Sequence, residues 1–203
     1  MKFIIGVDEV GRGSLAGPVV VAVVLIPTRE KISNRELGSL RDSKHLTKKQ
    51  REAWSEYLRS NPHIRFALAR VYPRTIERMN ISRAANRAAL KAFERLMKQE
   101  RLRVDDCRIF LDGGLYLGRR GLYPEAKTVI RGDQKIPAVK IASIIAKVWR
   151  DRLMERLSRK YPRYGFHIHK GYGTKAHLRA IRRYGASKAH RLTFLRSYVK
   201  MKR

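Results

Sequence analysis

The stretch Phe3-Ile4-Ile5-Gly6-Val7-Asp8-Glu9-Val10-Gly11-Arg12-Gly13, with Val19 to Ile26 after it, decides the fold. Residues 3–7 are a short apolar run, and Val19 to Ile26 is a second run rich in β-branched side chains, as buried strands require. The glycine-rich segment from Gly11 to Pro18 is short enough to turn the chain back, so the two runs are expected to pair as antiparallel strands. Asp8 and Glu9 stand at the end of the first strand. Neighbouring side chains on a regular strand face opposite sides, so both carboxylates serve one site only if the strand twists or ends there. Gly6, Gly11 and Gly13 make such an irregularity cheap. Taken alone, the pair also reads as a plain strand end.

Working outward, Thr47-Lys48-Lys49-Gln50 has the form of a capping box, which predicts a helix to about Arg59 with Ala53, Trp54, Tyr57 and Leu58 as its apolar stripe. Phe66 to Tyr72 reads as a third strand. Ser82 to about Glu100 is the clearest helix, with alanines at helical spacing. Cys107 to Asp112 and Lys127 to Arg131 read as strands four and five. Pro137 suits a first helical position, and the helix after it should run to about Arg159. Lys175 to Tyr184 is the next helical segment. This order predicts an α/β fold: a five-stranded mixed sheet flanked by helices, in one domain over residues 1–203, with a basic helical region from about residue 160. Asp112 ends one strand and Asp133 follows another, so acids gather at strand ends, where open α/β folds place their chemistry.

Composition narrows the function. Across 203 residues, 47 Lys and Arg face 17 Asp and Glu, a formal charge of +30. With 43% hydrophobic residues the chain is too apolar to be a disordered basic protein. No apolar run approaches the roughly 20 residues of a membrane span, and the start of the chain does not read as a signal peptide. Cys107 is alone, so a reducing, cytoplasmic setting is expected. The partner should be a polyanion. From Arg156 to Arg203 there are 15 Lys and Arg and no acid. Such a run is commonly a disordered tail, but Tyr161, Tyr164, Phe166, Tyr172 and Tyr184 are interleaved with the cations, as on a folded nucleic-acid surface. Only the last residues, Lys200 to Arg203, are expected to lack order.

In so basic a chain the acids carry information. Glu52, Glu56, Glu94 and Glu100 sit beside bases on helical patterns, as ordinary surface pairs do. Asp8, Glu9, Asp112 and Asp133 do not. Carboxylates grouped where an anion must bind make sense when a cation lies between. Oxygen ligands without His or Cys select Mg²⁺ or Mn²⁺ over zinc, and two such ions suit phosphodiester hydrolysis. His167, His169 and His177 have no nearby acid or cysteine and read as surface or phosphate contacts. Gly11-Arg12-Gly13 offers unobstructed backbone amides to a sugar or phosphate, although a tight turn uses the same residues. Tyr172, between Gly171 and Gly173, either stacks on a nucleotide or packs in the core.

Gly6 to Gly13 with Leu15 to Val20 resembles the opening signature of the ribonuclease HII family. The resemblance continues through Asp42-Ser43-Lys44, Asn80-Ile81, Leu111-Asp112-Gly113 and Gly132-Asp133. It runs on through Ala142 to Val148, Arg150-Asp151, Tyr164-Gly165-Phe166, His169 to Thr174, His190-Arg191 and Phe194, nearly the whole chain in order. It implies a ribonuclease H-like fold. It also implies cleavage of the RNA strand of RNA–DNA hybrids, and 5′ of single ribonucleotides in duplex DNA, leaving a 3′-hydroxyl and a 5′-phosphate with two Mg²⁺ or Mn²⁺ ions. By position, Asp8, Glu9, Asp112 and Asp133 match the family's metal-site carboxylates. Gly11, Arg12 and Gly13 match the loop that reads the 2′-hydroxyl, and Tyr172 matches the tyrosine at the RNA-to-DNA junction. Ser43 and Lys44 are candidate phosphate contacts, and Asp151 is expected to be structural, paired with a nearby arginine. Ser14 replaces a frequent proline, and Lys140 a small polar residue. The rival readings are a catalytically silent duplex-binding protein and the sister family with an N-terminal substrate-binding extension, for which a catalytic strand starting at Phe3 leaves no room. The expected state is a monomer off the membrane. A sliding clamp is a possible partner, without a clear clamp-binding peptide near the C-terminus.

Overall fold

The two runs around the glycine-rich turn form β1 (Phe3–Val10) and β2 (Val19–Pro27), antiparallel from Phe3↔Pro27 to Val10↔Val20. The structure is a computed structural model describing residues 2–30, 32–40, 43–119 and 121–198. Asp42 and the Lys200 to Arg203 end, both singled out in the sequence, lie outside the described residues. After β2 come a small hairpin, β3 (Ser33–Asn34) and β4 (Gly38–Ser39), then α1 (Lys48–Ser60), β5 (Arg65–Val71), α2 (Pro73–Met79) and α3 (Ile81–Glu100). The rest of the chain gives β6 (Cys107–Asp112), β7 (Ala126–Val129), α4 (Gly132–Lys135), α5 (Pro137–Lys160), α6 (Phe166–His169), α7 (Lys175–Tyr184) and α8 (Leu192–Leu195).

The five long strands form one sheet in the order β5-β2-β1-β6-β7, antiparallel between β5, β2 and β1 and parallel between β1, β6 and β7. Alternation along the strands divides two cores. Ile5, Val7, Val21, Val23, Ile109 and Leu111 pack under the alanine face of α3. Ala22, Val24 and Ile26 face α5 and α1, where Trp54 and Leu58 meet Ile141 and Ile145. At Gly6 the backbone of α5 comes so close that an added Cβ would lie 2.1 Å from the Ala138 carbonyl carbon. That approach seats the start of α5 directly beneath the end of β1.

Capping sets the helix starts. Thr47 and Gln50 form the reciprocal capping box that opens α1, and Asn80 Oδ1 accepts from Arg83 N–H to open α3. The predicted strand at 127–131 is Ala126–Val129, because Arg131 turns left-handed (φ 56°) and opens α4. The carboxylate-bearing strand is longer than expected. β1 runs on through Val10 because β2 offers a partner to each of residues 8–10, so Asp8 and Glu9 are paired strand residues.

The basic C-terminal segment is folded through Tyr198. Tyr164, Phe166, Ile181, Ala189 and Leu195 pack with Leu15 and Met154 in a third core that ties this segment to the turn after β1. Among the described residues no helix is long and apolar enough to cross a membrane.

Candidate functional site

The parallel register Val7↔Leu111 makes Asp8 and Asp112 the next pair along, side by side where β1 and β6 stop pairing. Both extend toward the α5 face, opposite Ile5, Val7, Ile109 and Leu111. Glu9 takes the other face. Arg12 Nη1 donates to its Oε1 at 3.3 Å, and Arg12 Nη2 donates to Ser82 Oγ at the start of α3 at 2.9 Å. Asp133 sits in the first turn of the short α4, 2% exposed. Gly132 N–H donates to Asp112 Oδ1 at 2.6 Å and Asp133 N–H to the same oxygen at 3.4 Å, which orients that carboxylate. All four acids line a cleft of about 330 Å³ that also takes in Gly11, Arg12, Gly13, Ser43, Lys44 and Tyr172. Every candidate site residue read from the sequence is therefore in one place. A cavity of about 400 Å³ beside Leu111, Tyr116 and Tyr123 contains no acid.

The electrostatics are those of a site short of positive charge. Burial first, then the Glu9 and Asp112 carboxylates, hold Asp8 well above the usual carboxylate range, against a hydrogen bond from Ser143. Burial also raises Glu9, opposed by Arg12, and burial and the charge of Asp133 raise Asp112. Glu9 Oε2 is buried with no hydrogen-bond partner. Lys44 Nζ lies 2.8 Å from Asp133 Oδ2, a cation already drawn to the cluster. Like charges kept this close fit a divalent cation, which would relieve the repulsion and occupy the orphaned oxygen. The donor set is all oxygen. Among the described residues no group of three or more His, Cys, Asp or Glu side chains is placed to hold a metal ion by itself. The cleft leaves room for a further ligand beside the carboxylates.

Several cleft residues escaped the sequence reading. Ser143 Oγ pairs with Ser43 Oγ at 2.7 Å and hydrogen-bonds Asp8. Lys147, one turn on along α5, joins the same wall. Lys140, Ser143 and Lys147, recurring every three or four residues in the otherwise apolar first half of α5, were the available signal. Asp151 does not line the cleft, and its ion-pair partner is Lys147 Nζ at 2.8 Å rather than the expected arginine. Ser14 Oγ donates to Gly11 O, so the replacement for proline holds the loop from inside. Lys140 Nζ donates to Leu40 O at 3.3 Å. Tyr172 is 37% exposed in the cleft, its ring 5.6 Å from the Arg150 guanidinium and 6.0 Å from Lys147 Nζ.

The histidines are not surface contacts as expected, apart from His167, which is exposed and bonded to Ser158 Oγ. His169, His177 and His190 are buried behind Tyr172, and the rings of His169 and His177 stack 4.3 Å apart. Their hydrogen bonds fix one tautomer each. Ser187 N–H donates to His190 Nδ1, so His190 Nε2–H donates to His177 Nε2 at 3.1 Å. His177 Nδ1–H then donates to Tyr172 O at 2.9 Å. Gly171 N–H donates to His169 Nδ1, leaving His169 Nε2–H for Tyr164 O. Burial pushes His177 and His190 down to about 4, so all three act as neutral struts.

The family model described as ribonuclease HII matches residues 5–198 of the chain. A Coxiella burnetii protein named ribonuclease HII is 44% identical over 191 residues, covering 94% of this chain and 87% of its own. Among solved structures, the ribonuclease H2 of Pyrococcus horikoshii OT3 superposes with a TM-score of 0.69 at 29% identity, over 97% of this chain and 96% of its own. The RNase HII of Archaeoglobus fulgidus, solved in a complex with PCNA, gives 0.68 at 25% identity, over 99% and 98%.

Proposed function

The chain belongs to the ribonuclease HII family, a nuclease family of hydrolases, and on that premise we propose that it cleaves the RNA strand of RNA–DNA hybrids and the backbone 5′ of single ribonucleotides in duplex DNA. The observation that carries the reading is the gathering of Asp8, Glu9, Asp112 and Asp133 in one cleft with the glycine loop and Tyr172, in a molecule of charge +30.

Asp8 and Asp112 would hold Mg²⁺ or Mn²⁺ most directly, with Glu9 and Asp133 completing the set for two ions. Bound there, divalent ions supply Lewis acidity, lowering the pKa of a water and neutralising charge that develops on the leaving oxygen. The chain's own residues do the selecting and holding. Ser143 and the Gly132 and Asp133 amides fix two of the carboxylates before substrate arrives. The amides of the 11–13 loop read the 2′-hydroxyl, the one group that separates a ribonucleotide from its neighbours in DNA. Tyr172 offers its face to the sugar at the RNA-to-DNA junction. Arg12, Lys44 and Lys147 meet phosphates, with Ser43 beside them. Hydrolysis leaves a 3′-hydroxyl and a 5′-phosphate. The catalytic domain spans the chain, with the basic region from about residue 160 adding duplex contacts. The lone Cys107 supports a cytoplasmic setting. Similarity to the Archaeoglobus protein makes a sliding clamp the protein partner to try first.

The test is a labelled duplex carrying one ribonucleotide, incubated with and without Mg²⁺. Wild type should cut at the ribonucleotide only with the ion. Asp112→Asn and Asp133→Asn should abolish cutting while binding the hybrid as well or more tightly. Full activity in either variant removes the assignment, and binding without cutting by wild type favours a silent duplex-binding protein.

A further inference from the structure

Behind the cleft lie two arginines that no substrate can reach. Arg150, on α5, and Arg191, just before α8, are each 0% exposed. Their hydrogen bonds run to loops that line the site, not to acids. Arg150 donates from Nε to Pro18 O at 3.0 Å, from Nη1 to Lys170 O at 2.9 Å, and from Nη2 to Ser14 Oγ at 2.7 Å and Ala16 O at 3.0 Å. Arg191 donates from Nε to Gly17 O at 3.0 Å, from Nη1 to Arg12 O at 2.9 Å and from Nη2 to Gly11 O at 2.8 Å. Burying two neighbouring cations is costly, and burial with the Arg150 charge pushes Arg191 down to about 9, still protonated at neutral pH.

The direction of these bonds has a geometric consequence. In a planar trans peptide the C=O and the following N–H point opposite ways. Turning Gly11 O and Arg12 O inward onto Arg191 therefore turns the amides of Arg12 and Gly13 away from it, toward the cleft. Arg150 ties the turn that follows this loop to the Tyr172 loop: it holds Ala16 O and Pro18 O on one side and Lys170 O on the other, and its guanidinium lies 5.6 Å from the Tyr172 ring. Gly171 O accepts from Leu15 N–H at 2.8 Å and Ala16 N–H at 3.2 Å, joining the same two loops. At Gly11 (φ 85°) a Cβ would stand 2.2 Å from Arg150 Nε, so this position is packed for the guanidinium.

We propose that Arg150 and Arg191 are positioning residues that set the spacing between the amides of the 11–13 loop and the ring of Tyr172, and so govern recognition of a lone ribonucleotide. The inference rests on the functional reading above. A continuous RNA strand adds 2′-hydroxyls on either side, whose contacts help to hold the substrate when one of them is poorly gripped. A single ribonucleotide presents one register, which both loops must grip together.

Arg191→Lys and Arg150→Lys keep a charge but lose the planar fork that spans several carbonyls. The measurement is kcat/KM on a duplex with one ribonucleotide and on a continuous hybrid, at equal salt and Mg²⁺, with the thermal transition recorded for each variant. Misplacement by about 1 Å costs roughly 100-fold, so the single-ribonucleotide substrate should lose about that much and the ratio of hybrid to single-ribonucleotide cleavage should rise tenfold or more. Ser14→Ala removes one bond to Arg150 and one to Gly11 O from an otherwise intact site, and should move the ratio the same way by about threefold. An equal loss on both substrates in folded variants overturns the proposal, as does an unchanged ratio in Ser14→Ala if the arginine variants do not fold. Failure of wild type to cut either substrate refutes the functional reading instead.

Discussion

Replacing His190 by Gln isolates the buried histidine relay. The Gln amide nitrogen can donate to His177 as His190 Nε2 does, so one titrating group is removed while the strut is kept. In the folded chain His190 is held near 4 against an ordinary 6.5. The unfolded chain thus binds the extra proton, and stability falls as pH drops from 6.5 toward 4. Integrated between pH 7.5 and 5.0, that difference is about 2 kcal/mol for this residue, or ~4–8 °C in Tm for a chain of this size. The raised carboxylates Asp8, Glu9 and Asp112 act in the opposite sense, so wild type alone mixes two trends. Subtraction removes them. Urea unfolding of wild type and His190→Gln at both pH values should show wild type losing about 2 kcal/mol more on acidification. Parallel curves would mean that His190 is not held neutral by burial, and the strut behind Tyr172 would have to be redrawn.

Asp8→Asn should stabilise the chain in EDTA at neutral pH by on the order of 1–3 kcal/mol. Its folded pKa is raised, so ionisation penalises wild type above that value, and the gain should vanish as pH falls below the ordinary 3.8. Thermal melts at pH 7.5 and 3.5 check this, and a loss of stability at neutral pH would contradict the crowding of charge at the site. Gly13→Ala should leave Tm within the shift expected of about 0.5 kcal/mol, since nothing lies within 4 Å of the added Cβ. Cleavage at a single ribonucleotide should drop roughly 100-fold as the methyl keeps the sugar off the loop, and unimpaired cleavage would remove the loop from substrate reading.

Local signals carried far in this chain. The capping box at Thr47, the strand Cys107–Asp112 and the helix Lys175–Tyr184 fall where the sequence puts them, because cap chemistry and apolar periodicity are written in neighbouring residues. The four acids were legible for a different reason: their company is wrong for a basic protein unless a cation joins them. Pairing escaped. β1 continues through Asp8 and Glu9 only because residues 20–22 lie alongside, a fact no window around Asp8 contains. The histidines and the two arginines escaped for the same cause. His177 is buried by His190 and Phe166, and the Arg191 donors are taken up by carbonyls at Gly11, Arg12 and Gly17, so nothing adjacent in sequence announces their roles.

The bonds from Arg191 to Gly11, Arg12 and Gly17 span separations of 180, 179 and 174 residues. At about 5–20 residues per second, a ribosome needs roughly 10–35 seconds to make that stretch. For that whole interval the loop lacks its brace. The loop proposed to sort one sugar from another would therefore stay unbraced until the segment around Arg191 folds back across the first strand.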